Sequence, residues 1–126
     1  KIKNDTDIYI VNEYGKTKSF YNNCKNIFLG GSLIKHGGQN PLEATRYGCN
    51  ILHGPNIYNF KEIYNFLKKK RMSKKINNQK DMIYSLNRYF LKNSNTKKIQ
   101  KKLNLVGQNI LYKTYNEINL LIKNEA

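Results

Sequence analysis

The residues best placed to do chemistry lie in one stretch, Gly30–Glu43, G-G-S-L-I-K-H-G-G-Q-N-P-L-E. It follows a short apolar run, Asn26–Leu29 (N-I-F-L), and runs into a helical segment. A glycine-rich loop between strand and helix lets backbone approach a ligand and aims free N–H groups at an anion. Gly37 and Gly38 remove side-chain bulk where the loop must bend. Asn40 is a favoured N-cap, Pro41 suits the first helical position, Leu42 follows, and Glu43 stands three residues after the cap. Glu43 has two readings. It can close a capping box with Asn40, since N-x-x-E is that pattern, or its carboxylate can face a nucleotide cleft and accept hydrogen bonds from both ribose hydroxyls. Gly30, Gly31 and Ser32 read either as a tight turn after a strand or as pocket lining, with a hydroxyl and N–H groups to offer.

Other chemistries lack their residues. Ser32 has no His and Asp partners in a nucleophile pattern. Neither a Walker motif nor G-x-G-x-x-G occurs. His36 and His53 have no ligand-spaced partners, and Cys24 and Cys49 form no C-x-x-C pair, so no metal or other cofactor is expected. Two distant cysteines also suit a reduced, cytosolic setting.

The elements that must position the loop alternate. Ile8–Val11 (I-Y-I-V) reads as a buried-type strand, Lys16–Asn22 as a weak helix opened by Gly15, and Asn26–Leu29 as the second strand. Asn40–Tyr47 reads as a helix that Gly48 ends. Asn50–His53 is a third strand, stopped by Gly54-Pro55; Asn59–Lys69 is a helix with an apolar face, and Ser73–Ile76 a short edge strand. From Gln79 onward apolar residues recur at helical spacing, with breaks expected at Asn93–Asn95 and Gly107. Strands alternating with helices predict βαβ units, a parallel sheet, and ligands at the carboxyl ends of its strands. Leu29 is such an end.

The chain has 126 residues, enough for one domain with a core. Its formal charge of +15 points to polyanionic partners, although Lys, Asn, Ile and Tyr dominate as an AT-rich coding sequence would dictate. The run Lys68–Lys75 (K-K-K-R-M-S-K-K) reads as a solvated helix end, or as a patch drawn to anionic lipid at about 1 kcal/mol per Lys or Arg near the surface. It lacks the interleaved aromatics that nucleic-acid binding needs. No apolar run approaches membrane-spanning length. A start at Lys1 rather than Met reads as a fragment of something longer.

G-G-S-L-x-x-x-G-G-x-N-P-L-E, followed by H-G-P-N-I-Y-N-F-K-E-I at His53–Ile63, closely resembles the Kdo (3-deoxy-D-manno-octulosonic acid) transferases of lipid A assembly. Tyr14–Tyr21 (Y-G-K-T-K-S-F-Y) is similar to a third segment of that family. The resemblance implies an α/β fold: a Rossmann-like parallel sheet with flanking helices, the C-terminal half of a GT-B glycosyltransferase, with a helical C-terminus. Residues 1–76 would be the α/β part and 77–126 the C-terminal helices of a partial nucleotide-sugar domain, the N-terminal acceptor domain being absent. It implies CMP contacts for Asn40, Pro41, Leu42 and Glu43 and for Gly15, Lys16 and Thr17, and a donor pocket at Gly30, Gly31, Ser32, Gly37 and Gly38. Lys16 stands where the family has an acid, Asn12 where it has Asp, Gln39 where His is common and His36 where Arg is common. Asn59 and Glu62 would brace the cleft loops, Asn59 being equally suited to capping a helix.

The implied activity is transfer of Kdo from CMP-Kdo to a lipid A precursor (lipid IVA) at the cytoplasmic face of the bacterial inner membrane, the anchor lying outside this chain. This chain would bind the donor and supply no catalytic residue, the general base being expected in the N-terminal domain. An anionic membrane surface is a further expected partner; nucleic acid is not. Two other functions fit less of the sequence: a GT-B transferase with another nucleotide sugar, and a basic membrane- or nucleic-acid-binding module without catalysis.

Overall fold

A computed structural model describes residues 3–91 and 96–125. Three short strands form one parallel sheet in the order β1-β2-β3: β1 Asn26–Leu29, β2 Asn50–His53 and β3 Ser73–Lys75. Asn26 lies opposite Asn50 and Leu29 opposite His53; Ile51 lies opposite Ser73 and His53 opposite Lys75. Parallel neighbours need crossovers. Helix α2 (Leu42–Arg46) carries the first; a 3-10 turn, Tyr58–Phe60, and α3 (Lys61–Lys69) carry the second. Helix α1 (Thr17–Asn23) precedes β1, and α4 (Gln79–Leu91) and α5 (Thr96–Glu125) follow β3. The architecture is the parallel α/β layer with a helical C-terminus that the alternation of elements predicts.

The core is small. Leu29, Ala44, Cys49, Ile51 and Tyr64 are buried together, with Tyr21, Ile27, Tyr47, Ile57 and Phe60 packed around them. The Cys49 Sγ–H donates to the carbonyls of Tyr21 (3.3 Å) and Cys24 (3.2 Å), fastening the end of α1 to the start of β2. Burial pushes this thiol up to about 11, so it stays a donor and is not a nucleophile. Both crossover helices, α2 and α3, end in a Schellman arrangement. After α2, Gly48 (φ +78°) donates to Thr45 and Cys49 to Ala44, which is the stop expected of Gly48. After α3, Arg71 takes the same left-handed position (φ +59°), and its N–H and that of Met72 reach Lys68 and Leu67.

Two expectations fail. Ile8–Val11 is no strand: it lies outside the sheet, with Ile8 80% and Ile10 84% exposed. A strand apolar on both faces gains from pairing only if layers cover both faces. Here the ring contact of Tyr9 with Phe20 of α1, at 6.5 Å, is the aromatic contact the run makes among the described residues. Gly107 does not break the C-terminal helix; α5 runs through it from Thr96 to Glu125. A helical glycine costs about 1 kcal/mol relative to alanine. Flanking Leu103, which is buried, and Val106, which is half-buried, offset that cost by closing a groove with Leu42, Ile63 and Phe66. The expected break at Asn93–Asn95 lies outside the described residues.

An added Cβ at Gly107 would meet nothing within 4 Å, and the residue is already helical. Gly107→Ala should therefore stabilise the chain by about 0.5–1 kcal/mol. The check is thermal unfolding followed by circular dichroism; a lower melting temperature would show that the glycine itself is required.

Candidate functional site

Leu29 ends β1 at the carboxyl edge of the sheet, and the glycine-rich loop begins there. Ser32 turns it back. Its buried Oγ–H donates to the Leu29 carbonyl (2.6 Å), the same oxygen accepts from Gly54 N–H (2.8 Å), and its carbonyl accepts from Asn56 N–H (2.9 Å). The hydroxyl is committed inside the protein, so Ser32 positions the loop and has no hydroxyl hydrogen left for a ligand. Gly54 faces the Ser32 carbonyl so closely that no Cβ fits between them.

The segment after β2 then supplies donors to one loop carbonyl after another. Tyr58 Oη–H reaches Lys35 (3.3 Å), Asn59 Nδ2–H reaches His36 (3.3 Å), Asn59 N–H reaches Gly37 (3.3 Å), and Tyr64 Oη–H reaches Gln39 (2.9 Å). Gly38 N–H closes the loop on the Gly31 carbonyl (3.1 Å). Gly37 and Gly38 sit at φ +92° and +77°, which is where glycine is needed. Among the described residues, no acceptor engages the N–H groups of Gly37, Gln39 or Asn40. The arrangement thus turns carbonyls inward and leaves donors over.

At the far end of the loop, Asn40 Oδ1 accepts from Leu42 N–H (3.0 Å), and the buried Pro41 gives its carbonyl to Thr45 N–H (3.1 Å) and Thr45 Oγ1–H (2.7 Å). Asn40 therefore caps as its type suggests. Glu43 does not complete the box: it is exposed, and no hydrogen bond or ion pair of the described residues engages its carboxylate. Burial first, and then the Glu43 charge, raise the pKa of the Tyr21 phenol, so this carboxylate looks across to α1. Helix α2 has five residues rather than the longer span read from sequence, so loop N–H groups, more than a helix dipole, provide the local positive potential.

The remaining candidates are scattered. Gly15 (φ +81°), Lys16 and Thr17 open α1, all exposed; Lys16 pairs with Glu13 at 3.4 Å, and no hydrogen bond joins them to the loop. Lys16 lines a separate cavity of about 280 Å³ with Tyr9, Ile10 and Phe20. Gly30 is exposed at the strand end, and the His36 ring lies against Gly31. Asn59 braces the loop, as one of its two readings had it. Glu62 instead lines the groove of about 890 Å³ between α2, α3 and α5. In the basic run, Lys68–Arg71 are exposed ahead of β3, at the amino edge of the sheet, and Lys74 lies over the Tyr84 ring at 5.0 Å. No three His, Cys, Asp or Glu side chains cluster as metal ligands among the described residues. No described helix is long and apolar enough to cross a membrane.

Beneath the loop, His53 Nδ1–H donates to the Gly54 carbonyl at 2.7 Å, and its ring lies 4.3 Å from that of Tyr64. Burial, with Lys75 and Lys68 adding to it, lowers the His53 pKa against the opposing effect of that hydrogen bond, so the imidazole is a neutral core group. Burial pushes the Tyr64 phenol up to about 12 and keeps it a donor. Sequence reading places Tyr64 only on the apolar face of a helix; its phenol, where Phe would fill the same space, is the one signal of a second task.

No protein-family model matches the chain. Curated proteins do. The 3-deoxy-D-manno-octulosonic acid transferase of Haemophilus influenzae is 27% identical over 118 residues, 94% of this chain and 27% of that protein. The transferase of the same name from Aquifex aeolicus is 26% identical over 80 residues, 64% of this chain and 23% of that protein. That from Rickettsia prowazekii is 30% identical over 82 residues, 65% and 18% of the two chains. The chain thus spans about a quarter of the length of the first two relatives. Among solved structures, the C-terminal CMP-Kdo binding domain of WaaA from Acinetobacter baumannii superposes with a TM-score of 0.71 at 21% identity, over 82% of this chain and 54% of that one. The resemblance to Kdo transferases drawn from the two motif blocks is borne out, and so is the fold class.

His53 gives the site a pH signature. Below the ordinary histidine pKa of 6.5 the unfolded chain binds a proton that the folded chain resists. Stability should hold above that pH and fall as pH drops through it toward the lowered folded value. Urea unfolding from about pH 7.5 to about pH 5.5 should show the decline, and His53→Gln, which keeps a donor for Gly54, should flatten it.

Proposed function

We propose that this chain is the donor-binding part of a Kdo transferase, holding CMP-Kdo while the sugar passes to a lipid A precursor such as lipid IVA. One observation carries the reading. At the carboxyl edge of the sheet, a loop with N–H groups at Gly37, Gln39 and Asn40 unengaged among the described residues leads into Asn40–Glu43, whose carboxylate takes part in no hydrogen bond or ion pair among them. The name shared by the relatives and the CMP-Kdo binding of the superposing WaaA domain support it.

Transfer requires CMP to depart while an oxocarbenium-like sugar forms. The negative charge growing on the phosphate is met by donors already oriented, which costs no reorganisation during reaction. The loop N–H groups, held from behind by residues 54–64, are suited to that. Glu43 is suited to the ribose, as an acceptor for two hydroxyls. Nothing in this division of labour calls for a metal. On this reading residues 1–76 and 77–126 form part of a nucleotide-sugar domain in a GT-B enzyme. The acceptor site and general base belong to a further domain, and the reaction occurs at the cytoplasmic face of the inner membrane. The exposed Lys68–Arg71 patch supports attraction to an anionic membrane surface there.

If Glu43 holds the ribose, Glu43→Gln loses charge and half the acceptor capacity. A hydrogen bond to a charged group is worth about 1.5–3 kcal/mol, so CMP affinity should fall about ten- to a hundredfold with the melting temperature unchanged. CMP titration and thermal melts of Glu43→Gln and Glu43→Ala decide it: full affinity in both variants would refute the ribose role. The chain by itself should turn over no CMP-Kdo, because reactants must be brought together between two domains. Transfer to lipid IVA by the isolated chain, assayed with labelled donor, would overturn that division.

A further inference from the structure

Two side chains on the segment after β2 decide which way the loop's N–H groups point. A trans peptide is planar, so its C=O and the N–H of the next residue point in opposite directions. The carbonyl of Gln39 is held by Tyr64 Oη–H at 2.9 Å, and the carbonyl of His36 by Asn59 Nδ2–H at 3.3 Å. The N–H groups of Asn40 and Gly37 are therefore turned away from the segment that carries Tyr64 and Asn59, and neither has an acceptor among the described residues. Without the Asn59 restraint the His36–Gly37 peptide would be soft, because Gly37 carries no Cβ to limit its backbone. The stronger restraint is Tyr64. It is 1% exposed, its ring is fixed against His53 at 4.3 Å, and it belongs to the core cluster with Leu29, Ala44, Cys49 and Ile51. A phenol pushed up to about 12 remains a donor across the whole working pH range. The core thus reaches out through one hydroxyl to orient one surface peptide.

We propose that Tyr64, assisted by Asn59, is a positioning residue that aims the Asn40 and Gly37 N–H groups at the phosphate of a bound nucleotide. The proposal rests on the nucleotide reading of the loop. Tyr64 touches no ligand; it acts through the Gln39–Asn40 peptide.

The test uses Tyr64→Phe, which keeps the ring and its His53 contact and removes only the hydroxyl. Ile51→Val, a change in the same core that touches no hydrogen bond to the loop, controls for lost stability. CMP and cytidine are titrated into the 126-residue chain by amide chemical shift, and amide residual dipolar couplings, which report N–H orientation, are measured without ligand. Tyr64→Phe should weaken CMP binding about three- to tenfold, the range of one neutral hydrogen bond, leave cytidine binding as in wild type, and change the N–H dipolar coupling of Asn40. Ile51→Val should do none of these. Unchanged CMP affinity in Tyr64→Phe, an equal loss for cytidine, or the same loss in Ile51→Val would each overturn the proposal. If the wild-type chain binds neither compound, the functional reading falls separately. The couplings then decide the positioning: a changed Asn40 N–H coupling in Tyr64→Phe alone upholds it, and an unchanged coupling overturns it.

Discussion

A backbone that leaves its sheet to form a loop must find partners for its carbonyls, and most of this molecule's local order follows from how that need is met. The loop after β1 has too few contacts of its own to fold on itself; Gly38 to Gly31 is its main internal closure. Donors come instead from the segment after β2: backbone N–H from Asn56 and Asn59, amide from Asn59, phenols from Tyr58 and Tyr64. These bonds exist only because β1 and β2 are parallel neighbours whose carboxyl ends, Leu29 and His53, lie side by side. The two motif blocks, separate in sequence, are one structure in space.

The same constraint sorts the chemistry into groups that build and groups that remain over. Ser32, His53, Tyr64 and Cys49 look reactive by type, yet each is buried and commits a polar atom to a hydrogen bond within the protein. Burial keeps the thiol and phenol protonated and the imidazole neutral, so all of them serve as hydrogen-bonding struts. Among the described residues, the groups left unspent at the loop edge are the Glu43 carboxylate and loop N–H groups. A surface that keeps one free acceptor group beside several free donors suits a ligand carrying both hydroxyls and a phosphate.

Around this small core the chain exposes unusually large apolar residues. Ile8 and Ile10 lie outside the sheet, and the distal part of α5 shows Leu111, Tyr115, Ile118, Leu121 and Ile122. Helix α5 touches the body chiefly through α2, and its proximal residues close the groove with Leu42 and Phe66. Its continuity through Gly107 illustrates how tertiary contact outweighs a single unfavourable propensity.

The local elements were largely written in residue types. Apolar runs at Asn26–Leu29 and Asn50–His53 became β1 and β2, Asn40 capped, Pro41 opened and Gly48 closed α2, and Phe66 and Leu67 turned inward from α3, because these features depend on neighbours within a few residues. The two motif blocks were legible for the same reason. Three things needed the assembled chain. Ile8–Val11 has the composition of a strand, yet a strand forms only where an edge and covering layers exist, and no run of residues encodes its own cover. Glu43 fits a capping box by spacing, but only the folded loop shows its carboxylate left unused. Tyr64 matches Phe in periodicity, and its phenol gained meaning when the sheet brought Gln39, twenty-five positions earlier, to within 2.9 Å. Sequence determines what a residue is able to donate or accept; tertiary structure decides which partner is near enough to take it.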